Sequence, residues 1–300
     1  MRGESVMPTH GLNVLLSGMF HAATLFLVAA GLQLVFGVQR IFNLACGSFY
    51  ALGAYLGVSV VNFLVAAGLP PRLFIVALLG AGICLAVIGP PIERLLRFVY
   101  DRDEAFQLLL TFAIVLMLED VIRIVWGTSP LSTGALYLSY GQITAFGAVV
   151  PVYNLIVIAA SLAVAGLMGY VLARTRFGRI VRATAENREM SEALGVNMRT
   201  VYVKVFTLGT VLGTLGGALV IPATATMNEM AIELIVEAFA VVVIGGLGSM
   251  RGALVGALVV GILRAVAIST YPELEMLLIY LIVIGVLVLR PHGLFGEATA

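Results

Sequence analysis

Apolar runs broken by short polar stretches alternate along almost the whole chain. Runs with little or no charge fall at roughly 12–37, 48–67, 72–92, 105–126, 151–173, 200–221, 232–247, 252–270 and 274–290. Most reach the ~20 residues that a helix needs to cross a ~30 Å hydrocarbon core. Lipid offers no hydrogen-bond partners to open backbone, so each run predicts a helix. The run at 232–247 is short and reads as a half-helix or re-entrant element, which leaves eight or nine crossings. The pattern predicts an all-α, polytopic transmembrane bundle forming one domain over residues 1–300. Its first run is longer than a signal-peptide apolar region and reads as a retained span.

Local signals refine this picture. Pro90-Pro91 predicts a kink or end to the third run, with a helix continuing over Ile92–Val99, because proline is tolerated in a first turn. Partial alternation in Leu136–Tyr140 and Gln142–Thr144 predicts a small hairpin within Gly127–Pro151. Small residues four apart, as in Gly53/Gly57, Gly209/Gly213 and Gly252/Gly256, predict close helix packing. Gly47-Ser48 and Gly248-Ser249 each precede a glycine-striped run, a possible internal repeat.

The segment 174–199 breaks the pattern. It holds Arg174, Arg176, Arg179, Arg182, Arg188 and Arg199 with Glu186, Glu189 and Glu192, in a chain only 11% charged. Helical spacing of Glu and Arg, closed by Gly195, predicts a short amphipathic helix with a glycine stop. Dense arginine beside spans marks the cytoplasmic side. Alternation then puts Arg40, Arg94, Arg97, Arg102, Arg251 and Arg290 inside, the N-terminus outside and the C-terminus inside. A charged helix held under a membrane domain reads as a docking surface for a soluble partner.

Composition agrees: 61% of residues are hydrophobic and the mean hydropathy is +1.09. A net charge of +1 carries no nucleic-acid signal. The sole lysine, Lys204, is followed by Val205, so the chain has no P-loop, and any ATP would be hydrolysed by another subunit. Cys46 and Cys84 lack metal or redox spacing. Ser249 lacks the following glycine of a nucleophile elbow, which argues against an enzyme. The polar residues inside runs are Gln33, Asn43, Thr111, Glu119, Asp120, Glu237 and Arg264. Glu119-Asp120 can pair locally with Arg123. Arg264 is expected to snorkel outward, Glu237 to sit at a mouth or among headgroups, and His21 to make a helix-interface hydrogen bond. No pair of buried opposite charges resembles a proton or sodium relay, which argues against a secondary transporter.

Three stretches carry a family resemblance: Gly31-Leu-Gln-Leu-Val-Phe-Gly37 running on through Arg40-Ile-Phe-Asn43 to Gly53-Ala-Tyr55; Glu189 with Gly195 six residues later; and Ala238 through Gly245-Gly-Leu-Gly-Ser249 to Gly256. Thr111-Phe-Ala-Ile-Val-Leu and Phe177-Gly178-Arg179 add to them. Together they resemble the LivH-type permeases of branched-chain amino-acid ABC importers over nearly the whole chain. The chain departs at Leu44-Ala45-Cys46-Gly47, where the family commonly has Phe-Ala-His-Gly, and at Met190-Ser191, where the ATPase-gripping motif has two alanines.

The resemblance implies a transport subunit in a bacterial inner membrane, with no cofactor of its own. Its partners would be a second permease of LivM type, two cytoplasmic ATPases and an external substrate-binding protein. It implies ATPase coupling through Arg182, Glu186, Arg188, Glu189, Glu192 and Gly195. Asn43, Ser48, Gly245, Gly246 and Ser249 are the expected path-lining positions. Relatives of this kind are associated with hydrophobic amino acids, with urea and short amides, or with aromatic acids. A stand-alone secondary transporter is the remaining alternative.

Overall fold

A computed structural model describes residues 6–100, 102–133, 137–145, 148–290 and 293–295. The first long helix, α1, spans Val6–Gln39; α2 spans Cys46–Ala66, α3 Phe74–Cys84, α4 Gly89–Leu96 and α5 Glu104–Trp126. A two-stranded hairpin follows, β1 (Gln142–Ala145) pairing antiparallel with β2 (Ala148–Pro151). Then come α6 (Val152–Arg174), α7 (Arg176–Glu186), α8 (Arg188–Ala193), α9 (Met198–Val220), α10 (Met230–Gly245), α11 (Met250–Thr270) and α12 (Glu275–Leu289). Every apolar run of the sequence falls on a helix. Six helical segments are long and apolar enough to cross a membrane: Gly11–Gln39, Cys46–Ala66, Pro71–Val99, Val152–Arg174, Met198–Val220 and Met250–Thr270. Of the others, α5 carries Glu119, Asp120 and Arg123, while α10 and α12 have only 16 and 15 residues.

Two helices form the centre. The apolar window of α1 is 89% buried and that of α9 is 72% buried, against 17% for α6, which therefore sits at the rim. At 34 residues, α1 is about 51 Å long, more than a bilayer core requires. Backbones approach closely where glycine removes the side chain. A Cβ on Gly31 of α1 would lie 2.6 Å from the Gly209 carbonyl oxygen of α9, and one on Gly217 of α9 only 1.8 Å from that of Tyr50 in α2. These contacts let dispersion between helices accumulate where lipid supplies no hydrophobic drive.

The connection between α1 and α2 is more than a surface loop. Arg40 takes φ +56° and reverses the chain. Phe42 then stacks back on Phe36 at 4.7 Å and reaches Phe239 of α10 at 5.9 Å. Ile41, Asn43 and Ala45 are buried, and Gly47 lies against Ala231 and Ile235 of α10. Non-helical backbone thus runs inside the bundle, where protein shields it. The two Gly-Ser stretches occupy unlike settings: Gly47-Ser48 lies within α2, whereas Gly248-Ser249 precedes α11 with Ser249 as its N-cap.

The prolines act as expected. After α3 the chain tightens into a 3-10 turn over Leu85–Ile88, and Pro90 and Pro91 enter the first turn of α4. The hairpin is only partly where alternation predicts it. β1 matches Gln142–Thr144, but its partner is Ala148–Pro151; Tyr137–Tyr140 form a turn, and Leu136 lies outside the described residues. That turn is tied down: the Tyr140 hydroxyl donates to Pro71 O (2.8 Å) and accepts from Ile75 N (3.1 Å).

Gly217→Ala is expected to destabilise the bundle by about 1–3 kcal/mol, because backbone must move to admit the methyl group. Gly285→Ala in α12, where a Cβ meets nothing within 4 Å, is the control. Thermal unfolding of both in detergent checks this: Gly217→Ala lowers the midpoint and Gly285→Ala leaves it unchanged.

Candidate functional site

One end of the bundle carries the charged segment. It forms two helices where the sequence predicts one, because Asn187 breaks them: its φ of −146° ends α7, and its side chain accepts from Met190 N at 2.9 Å to cap α8. The glycine stop is as expected, with Gly195 at φ +85°. Arg182, Glu186, Arg188, Glu189, Glu192 and Gly195 are all exposed. Leu194 and Met190 project beside them at 78% and 59% exposure, so the surface combines charge with apolar grip.

This surface is fastened to the central helices. The Arg40 guanidinium donates to Ala185 O at 3.2 Å, joining α7 to the end of α1. Thr175 caps α7 by accepting from Gly178 N at 3.1 Å. The Arg188 guanidinium lies 5.7 Å over the Tyr202 ring at the start of α9. Tyr202 meets Tyr100 edge-on at 5.3 Å, and its carbonyl accepts from Gln39 at 3.0 Å. The Tyr100 hydroxyl donates to the fully buried Glu93, which holds Arg97 through two bonds of 2.9 and 2.7 Å. Arg97 in turn donates to Arg199 O at 3.3 Å. Burial, then the Glu93 carboxylate, push the Tyr100 hydroxyl well above the ordinary phenol range, so it remains a donor.

Further into the bundle, Gln33 of α1 clasps the glycine loop between α10 and α11. Its Nε2 donates to Gly246 O at 2.8 Å, and its Oε1 accepts from Gly248 N at 2.5 Å. Gly246 and Gly248 have φ of +93° and +80°, so this turn needs glycine at both. Gly245 packs against Gly252 at backbone distance, and Ser249 accepts from Gly252 N at 3.1 Å to start α11. Asn43 is buried and accepts from Ala45 N at 3.2 Å. Ser48 is buried, with no partner for its hydroxyl among the described residues. A small cavity of about 100 Å³ lies beside the clasp, touching Gln33, Gly37, Arg182 and Gly248.

The opposite half of the bundle holds what the sequence did not reveal. Glu237 of α10 is 98% buried (2% exposed) and takes Arg264 Nη1 of α11 at 2.7 Å and His21 Nε2 of α1 at 2.7 Å. Arg264 also binds Glu275 at the start of α12 through Nε. Four helices thus meet in one ionic cluster. Arg264 turns to Glu237 rather than snorkelling out, and Glu237 is buried rather than among headgroups, at the wall of a cavity that both residues line. A buried pair of opposite charges, Glu237 with Arg264, is thus present where no pair resembling an ion relay was expected. Sequence distance hid the third member, since 216 residues separate His21 from Glu237. The expected helix-interface bond of His21 is present.

Beside the cluster opens a cavity of about 520 Å³. Its walls come from α1, α2, α6 and α9–α11, and none of the five expected path positions lines it. At its edge the Tyr137 hydroxyl donates to Asn154 Oδ1 at 2.9 Å. Burial raises the Tyr137 hydroxyl above its ordinary value, so it too stays protonated. No three metal-type ligands converge among the described residues.

A bundle of apolar helices with an internal polar cluster and a charged, braced surface at one end is the architecture of a membrane permease. Residues 14–287 match the family described as branched-chain amino acid transport system, permease component. The chain belongs to that family and is a multi-pass membrane protein. It is 24% identical to the branched-chain amino acid permease protein BraD of Pseudomonas aeruginosa, over 96% of both chains. It is 26% identical to the corresponding LivH of Escherichia coli K12, over 95% of this chain and 96% of that one. The fructose import permease protein FrcC of Rhizobium meliloti shares 29% identity over 90% of this chain and 79% of its own. The fold is also that of a metal-chelate-type ABC transporter solved in an inward-facing conformation, with a TM-score of 0.51, 16% identity and 95% of this chain covered.

Arg264→Met would leave Glu237 buried with only His21, at an expected cost of about 3 kcal/mol. Replacing both residues with methionine is expected to cost less than the single change, because no uncompensated charge remains. Thermal unfolding of the single and double variants in detergent checks the order.

Proposed function

We propose that this chain is one of two permease subunits of an ABC importer that carries branched-chain or other hydrophobic amino acids across a bacterial inner membrane. The second permease is of LivM type. Two cytoplasmic ATPases dock on α7 and α8, and an external binding protein delivers the substrate. In this reading the α7–α8 end faces the cytoplasm, with the N-terminus outside and the C-terminus inside, as the arginine bias suggests. The single observation that carries the proposal is the charged, exposed α7–α8 surface braced to α1 and α9 through Arg40, Arg188 and Tyr202.

The mechanism is alternating access. ATPase closure pushes on Arg182, Glu186, Arg188, Glu189 and Glu192. Gly195 ends α8, so the load passes through Tyr202 into α9 and through Arg40 into α1. Those helices tilt, and a path opens to the outside; hydrolysis resets it inward. We assign Asn43, Ser48, Gly245, Gly246 and Ser249 to the wall of that path near the cytoplasmic end. The Ser48 hydroxyl, without a partner among the described residues, and the glycine turn held by Gln33, which borders the small cavity at Gly248, support this.

Glu189→Arg is expected to leave insertion into the membrane intact and to lower ATP-dependent leucine uptake at least tenfold in proteoliposomes holding the complete importer, by placing like charge against the ATPase groove. Uptake at the unmodified rate would refute the assignment of the ATPase contact.

A further inference from the structure

The 520 Å³ cavity is large enough for a small molecule, within the usual range of about 300–1,000 Å³. Its lining divides in two. One wall is apolar, with Phe20, Val220, Leu234 and Ile268. The other carries Glu233, Glu237, Arg264, His21 and Tyr50. Glu233 lies one helical turn from Glu237 and is exposed to the space. Arg264 is shared between Glu237 and Glu275, so Glu233 faces the space as a carboxylate with no ion-pair partner among the described residues.

Two features of that wall are unsatisfied. Glu237 uses one direction on each oxygen, for Arg264 and for His21, and a carboxylate has about four acceptor sites. Tyr50 is 94% buried (6% exposed), lines the cavity, and its hydroxyl makes no hydrogen bond among the described residues. Carboxylate acceptors beside a phenol hydroxyl that opens on the cavity, facing an apolar wall, are the complement of a small amphiphilic zwitterion. A neutral sugar would leave the negative charge uncompensated. A metal ion would need three converging ligands, which the described residues do not provide.

We propose that this cavity is a binding site for an aliphatic α-amino acid, with its ammonium on Glu233 and Glu237, its carboxylate on the Tyr50 hydroxyl and its side chain against Phe20, Val220 and Leu234. The substrate class rests on the importer reading above; the site and its polarity rest on the cavity. A permease-borne site of this kind makes the chain itself select for the ammonium group, in addition to any selection by an external protein. Glu237 then has two roles, since it also joins α1, α10 and α11, and an arriving ammonium competes with Arg264 and His21 for the same carboxylate.

The test is equilibrium dialysis of radiolabelled L-leucine against the full chain purified in detergent, without ATPase. Two competitors separate the ends of the ligand: 3-methylbutylamine keeps the ammonium, and 4-methylpentanoate keeps the carboxylate. Leucine is expected to bind, the amine to displace it and the acid to fail. Glu233→Gln, which removes no ion pair found among the described residues, is expected to weaken binding about tenfold, the worth of a charged hydrogen bond. Tyr50→Phe is expected to weaken leucine and leave the amine unaffected. Absence of leucine binding, equal displacement by the acid, or unchanged binding by Glu233→Gln would overturn the site. Binding is read without ATP, so a chain that binds leucine yet supports no ATP-driven uptake sinks the importer reading and keeps the site, and the converse result does the reverse.

Discussion

In hydrocarbon, a polar group that finds no partner inside the protein finds none at all, and that constraint organises this molecule. It explains why the non-helical stretch after Arg40 is wrapped by Phe36, Phe42 and Phe239. It explains why Gln33 spends both ends of its amide on the glycine turn at Gly246 and Gly248. Above all it gathers His21, Glu237, Arg264 and Glu275, from four helices, into one cluster. Each of these groups would be costly alone at that depth, and together they tie α10 and α11 to the central α1.

The same economy links the two ends. α1 carries His21 in one half, Gln33 beside the glycine turn, and Gln39 and Arg40 at the charged end. In the proposed coupling, a displacement of α7 would reach the cavity through a single continuous helix, which packs backbone to backbone on α9 at Gly31 and Gly209. A close-packed pair of this kind transmits a push better than it absorbs one. The braces at Tyr202, Tyr100 and Glu93 add a second connection, through α4 and α9. Transport by alternating access needs such stiffness, because the energy is released on one side of the membrane and used on the other.

Membership of a permease family does not by itself name the cargo. A fructose permease protein lies at 29% identity, and branched-chain amino acid permease proteins at 24% and 26%. The charge balance of the cavity discriminates between such cargoes. In the proposed site the Glu233 carboxylate, with no ion-pair partner among the described residues, favours a ligand with a cationic end, and the apolar wall opposite favours a hydrocarbon one.

Much was legible from sequence because it depends on short windows. Apolar length located the long apolar helices, Pro90-Pro91 marked the start of α4, and Gly195 marked the end of α8. The arginine-rich segment announced an exposed surface, though not the Asn187 break within it, since a one-residue cap is weaker than the periodicity around it. The strand paired with β1 was misplaced because alternation names candidates and register chooses among them. The sequence by itself determined an all-helical membrane chain with one charged end. Only the tertiary structure decided that Arg264 turns inward to Glu237, that Tyr50 lines the cavity beside them, and where that cavity opens: helix periodicity records which residues share a face, and packing alone decides which faces meet.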